Sequence, residues 1–144
     1  MRTGTKAIVV GLAALALGGC DNRNAGNSPR DDDPNLRRLV QEAMPITRGL
    51  EACRAAYGSF PPNPDATIGC LPRNTPVVRQ GHFLAVGEWL ISPDSTGVGY
   101  TLTRHLAGKA MLMRHCANKN CRWIYDPGDG KPSAELKFAE AGQR

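Results

Sequence analysis

Residues 34–58, PNLRRLVQEAMPITRGLEACRAAYG, decide the fold. Leu36, Leu39, Ala43, Ile46, Leu50, Cys53 and Tyr57 recur at steps of three and four, which gathers them on one stripe of a helix of about 22 residues. Asp33 stands where a carboxylate caps free amides, and Pro34 falls at the first helical position, where a missing N–H costs nothing. Gly58 is the natural stop. Pro45 removes one backbone bond and crowds the turn before it, so a kink or a break is expected near Met44. A stripe this short reads as a face laid on a core rather than as a coiled-coil seam, and the chain beyond it supplies a sheet to cover.

From Pro76 the period changes from helical to two. His82–Ile91 (HFLAVGEWLI) carries apolar residues on both faces and reads as one strand in the interior of a sheet. Ser92–Gly97 is a turn. In the strand that follows, Val98, Tyr100 and Leu102 point one way and Thr101, Thr103 and His105 the other. Residues 109–116 and 121–126 form a hairpin around Ala117–Asn120, with Arg114 beside Trp123 and Leu112 beside Tyr125 on one face. Residues 126–130 (DPGDG) end the sheet, and the tail from Pro132 adds one short helical turn or nothing. The expected fold class is therefore α+β, one long N-terminal helix packed on a three- to four-stranded antiparallel sheet.

Upstream of the helix, Arg2 and Lys6 precede an apolar run from Ala7 to Gly19 that is too short to span a bilayer, since a spanning helix needs roughly 20 apolar residues. This is the plan of a secretory signal. Its end, Leu17-Gly18-Gly19-Cys20, resembles the lipobox of bacterial lipoproteins. The resemblance implies that residues 1–19 are removed and that the Cys20 thiol carries a diacylglycerol thioether. Two or more acyl chains, each contributing about 0.8 kcal/mol per buried methylene, hold a domain to a membrane stably. Asp21 resembles the signal that retains a lipoprotein in the inner membrane, so the expected place is the periplasmic side of that membrane. Residues 21–33 (DNRNAGNSPRDDD) hold no large apolar side chain and read as a flexible tether. The expected organisation is a signal at 1–19, an anchor and tether at 20–33, a domain at 34–131 and a tail at 132–144.

Without its first 19 residues the chain has 125, enough for one compact domain. Loss of Arg2 and Lys6 leaves 16 basic against 13 acidic residues, a net charge of +3. That charge is mild and scattered, which argues against a nucleic-acid surface. Cys53, Cys70, Cys116 and Cys121 remain beyond Cys20, and export to an oxidising compartment reads them as two disulfides. Three pairings are possible; local spacing favours Cys53 with Cys70 and Cys116 with Cys121. The first would fasten the proline- and glycine-rich loop at 58–69, which has little regular structure of its own, back onto the helix.

The helix end and the corner after it, Gly49-Leu50-Glu51-Ala52-Cys53-Arg54-Ala55-Ala56-Tyr57-Gly58-Ser59-Phe60-Pro61-Pro62, resemble the globular half of type IV pilins and type II secretion pseudopilins. The resemblance covers residues 35–127 and implies a pilin-like roll. Pilins begin with a peptidase site and a long apolar assembly helix; here a lipobox and a polar tether stand in that place. What the resemblance implies is therefore a fold and a neighbourhood near a pilus or secretion machine, not polymerisation.

No glycine-flanked serine, histidine-rich zinc motif or phosphate loop occurs in the chain, so neither a catalytic residue nor a cofactor is expected. His115-Cys116 beside Cys121 lacks the spacing of a zinc site, and no metal is expected there. Glu88, Asp94, Asp126 and Asp129 read as solvated carboxylates rather than as a hydrolytic pair. Trp89, Arg114, Trp123 and Tyr125 form the candidate binding surface, with Arg114 over Trp123 as an exposed cation–π pair on the sheet face turned from the helix. The expected role is that of a non-enzymatic, lipid-anchored envelope protein that binds the bilayer through Cys20 and a protein partner through its domain, as an accessory to pilus or secretion assembly. The alternative is a periplasmic ligand-binding or enzymatic domain acting on glycan or peptidoglycan fragments.

Overall fold

The computed structural model describes residues 30–137. The signal peptide, Cys20 and Asp21 lie outside them. Helix α1 spans Pro34–Tyr57. Asp33 caps it, accepting from the Asn35 and Leu36 amides at 2.9 and 3.3 Å. Gly58 closes it in the left-handed conformation, where a side chain would be strained, and donates its N–H to the Arg54 carbonyl at 2.8 Å. The break expected at Pro45 does not occur. Pro45 and Gln41 both lie on the exposed side of the helix, so the carbonyl that the proline leaves without an amide faces water.

The stripe packs through Leu36, Leu39, Val40, Ala43, Ile46 and Leu50, all buried. It ends a turn early: Tyr57, expected on the same face, is 80% exposed. A short helix α2, Pro64–Ile68, occupies the loop expected to be irregular, with the Asn63 side chain accepting from the Ala66 amide at 2.8 Å. Both disulfides form in the pairing that local spacing favours, Cys53–Cys70 and Cys116–Cys121. Among the described residues no helix is long and apolar enough to cross a membrane.

The sheet overturns the expected fold class. It has seven strands, not three or four: β1 Val78–Gln80, β2 Phe83–Val86, β3 Trp89–Pro93, β4 Gly99–His105, β5 Met111–Ala117, β6 Asn120–Asp126 and β7 Ala134–Leu136. All pair antiparallel in chain order. The pilin-like roll is accordingly withdrawn, and with it the ground for a link to pili or secretion machines. Two causes account for the difference. The run 82–91 is a hairpin folded at Gly87-Glu88, with Ala85 opposite Leu90 and Val86 opposite Trp89, so one expected strand is two. Gly87 takes positive φ at that two-residue turn, and Gly81 does the same between β1 and β2. The supposed tail supplies β7, whose Leu136 is buried opposite Trp123.

The domain also begins earlier than residue 34. Asp31, assigned from sequence to the tether, is buried, and its side chain accepts from the Lys137 amide at 2.8 Å. Arg30 stacks over the Tyr125 ring at 4.7 Å. The hairpin β5–β6 keeps the expected register, with Cys116 opposite Cys121, Arg114 opposite Trp123 and Leu112 opposite Tyr125.

Candidate functional site

Period two sorts the strand residues into two sets, and the helix covers one of them. The inner set is Leu84, Trp89, Ile91, Tyr100, Leu102, Leu112, Arg114, Cys116, Trp123 and Leu136, which form one core with the helical stripe, Arg114 lying buried among them. Three members of the expected binding surface belong here: Trp89, Arg114 and Trp123 are between 2% and 4% exposed. Tyr125, the fourth, is half-buried at the margin under Arg30. They are core, not surface. Alternation told which residues share a face but not which face the helix takes; the larger aromatics fill the space under it.

In this core and at its exposed edge two glutamates of α1 reach two arginines of the sheet. Glu51 accepts from Arg114 at 2.6 Å, and the guanidinium lies 5.7 Å from the centre of the Trp123 ring. Glu42 accepts from Arg104, which also meets Glu88 and lies 5.7 Å over Trp89. The Trp89 indole N–H points at Glu42, at 3.3 Å. The two tryptophans meet edge to face with centroids 5.9 Å apart. The expected cation–π pair is thus present, but it is buried between β5 and β6 under the helix, where Glu51 of α1 meets the same guanidinium. Its cation and ring are both buried within the fold, and its chemistry is structural.

The outer set has no cover among the described residues. Its central row crosses the sheet in register: Val78, Ala85, Leu90, Thr103, Met113, Ile124 and Glu135. Ala85, Leu90, Thr103, Met113 and Ile124 are half-buried by their neighbours alone, and Val78 at the β1 edge is 61% exposed. On one side of this row stand Ser92, Thr101, His115 and Arg122, on the other His105, Met111 and Asp126. The row is apolar through most of its middle, and its borders mix polar groups with Phe83 and Met111, the composition of a contact surface rather than of a solvated one. It was legible in part. The parity that puts Arg114 with Trp123 necessarily puts Met113 with Ile124 on the opposite face.

Polar groups gather at the lower border. His115 Nδ1 lies 3.3 Å from the Thr101 hydroxyl. A cleft of about 460 Å³ beside it is lined by Ser92, Asp94, Ser95 and Thr101, and Asp94 is held below the usual carboxylate range by the Thr96 hydroxyl and then by the Thr96 amide. A base beside a hydroxyl is half of a nucleophilic site; among the described residues no acidic group comes within bonding distance of the imidazole. Cys116 and Cys121 are bonded to each other, and among the described residues no group of three or more His, Cys, Asp or Glu is placed to hold a metal. Comparison of the chain with protein-family models, with curated proteins and with solved structures finds no match.

Proposed function

We propose that this chain is a non-enzymatic, membrane-tethered envelope protein whose domain binds another protein through the outer sheet face. The observation that carries this reading is the half-buried row Ala85, Leu90, Thr103, Met113 and Ile124, which no described element covers. Sheets with one polar face and one packed face need no second partner; this one has apolar side chains on both. The tether supports the same role. Between Cys20 and Arg30 lie only residues 21–29, which span about 30 Å at full extension, so the acylated chain keeps its domain close to the periplasmic surface, and Asp21 favours the inner membrane. The surface proposed from Trp89, Arg114, Trp123 and Tyr125 is replaced by this face.

A photo-crosslinking residue at position 113, incorporated in living cells, is expected to give discrete protein adducts, identified by mass spectrometry. The same residue at Gln41, on the exposed side of α1, serves as the background. Equal yields at the two positions would overturn the assignment of the face. The anchor is tested separately: Cys20→Ser should abolish fatty-acid labelling, and retained labelling would remove the tether from the proposal.

A further inference from the structure

The partner that the outer face fits is written on β6. Beyond Asn120 its outward residues are Arg122, Ile124 and Asp126, a cation, an apolar residue and an anion at steps of two. Resting on the reading of this face as the binding surface, we propose that its occupant is a second copy of this chain, packed sheet on sheet about a two-fold axis that runs along the central row. Such an axis lays each strand antiparallel over its own counterpart. Ile124 meets the partner's Ile124, and Arg122 meets the partner's Asp126, twice by symmetry. On β5, Met113 packs on the partner's Met113, where an unbranched thioether adapts to a self-contact. On β3, Leu90 does the same.

The other two-fold compatible with stacked sheets runs along the strands and lays β6 over β2. It places Arg122 and Asp126 over a strand, FLAV, that has no charged residue to receive either. Charge complementarity therefore selects the axis along the row. Size agrees. Seven strands about 4.8 Å apart and three rows about 7 Å apart give a footprint of about 600 Å² per copy, or about 1,200 Å² in all, at the lower end of specific interfaces. Stacked sheets keep their strands within about 30° of each other, which preserves the strand-over-strand overlap near the axis. Glu135 ends the row at the β7 rim and there faces the partner's Glu135, so the pairing is weakened at one edge by like charge.

The test is the oligomeric state of the full chain in mild detergent, with the protein mass measured by light scattering. The wild type is expected to be a dimer. Met113→Glu and Met113→Lys each set like charges across the axis and should weaken the dimer at least about tenfold, while an equimolar mixture of the two should restore it. Retained far-UV circular dichroism shows that the single variants still fold. Glu135→Gln should tighten the dimer. A monomeric wild type at the highest soluble concentration overturns the proposal, as does a dimer indifferent to Met113→Glu. If the chain is monomeric while position 113 still crosslinks to a different protein, the dimer fails and the interaction role stands. If crosslinking also fails, both fall.

Discussion

A β-carbon on Gly49 would stand 2.1 Å from the Cys70 carbonyl oxygen, so the helix passes the second half of its own disulfide loop at backbone contact. Helix propensity alone says that Gly49→Ala stabilises by about 1 kcal/mol. Overpacking against a fixed backbone costs about 1–3 kcal/mol and is the larger effect. Gly49→Ala should therefore lower the melting temperature, and a rise would show that the loop yields. Tyr100 offers a second test at this scale. Burial pushes its phenol up from 10.0 to about 12, against the pull of the Arg114 guanidinium. Below pH 10 both folded and unfolded chains hold the proton and the stabilisation is whole. Between pH 10 and 12 the unfolded chain gives it up first, so stability falls by about 2–3 kcal/mol and is lost above that window. Phenolate absorbance should show one of the three tyrosines titrating late, and Tyr100→Phe should remove that component and flatten the alkaline loss of stability. An unchanged titration would place another tyrosine in the core.

At the scale of elements, the helix is held by more than its stripe. Arg114 is 3% exposed and Glu51 32%, so removing the carboxylate takes a charged acceptor away from a buried cation. Glu51→Ala is expected to cost about 3 kcal/mol in urea unfolding, and Glu51→Gln, which keeps an acceptor, clearly less. Equal losses would mean that the carboxylate's charge carries the whole interaction and a neutral acceptor none of it. The limits of the helix were legible because Asp33-Pro34 and Gly58 are local signals, complete within a few residues. The sheet was legible where a turn is long or marked. Ser92–Gly97 announces itself by length, and the two-residue turn Asn118-Lys119 is marked by the cysteines that flank it. Gly81-His82 and Gly87-Glu88 are two-residue turns with no such marker, and a run that folds back on itself has the same composition as one that continues. The strand β7 was hidden for a different reason. Three residues after a proline and glycine cluster carry no period of their own, and they are ordered by Trp123 and Asp31, both distant in sequence.

For the whole molecule, the meander means that every strand's partner is its neighbour in the chain, and the disulfides close loops with sequence separations of 17 and 5. Loop-closure entropy then ranks them. Replacing Cys53 and Cys70 by Ser should cost about 3 kcal/mol and replacing Cys116 and Cys121 about 2, as read from melting temperatures. The reverse order would show that the hairpin bridge carries native-state packing beyond its loop. The candidate site belongs to this scale too. Which face stays open depends on where the helix lands, and no single strand records that.

The bond from the Lys137 amide to the Asp31 carboxylate brings the two limits of the described residues together. In topological terms the domain is nearly a ring, and its starting point is interchangeable with other surface turns. A circular permutant that links residue 137 to residue 30 through a short polar loop, and opens at the exposed Gly108 turn, should keep both disulfides and the same melting profile. In such a chain the proposed lipid would hold the domain from the turn between β4 and β5, turning a fixed attachment into one that can be moved around the fold.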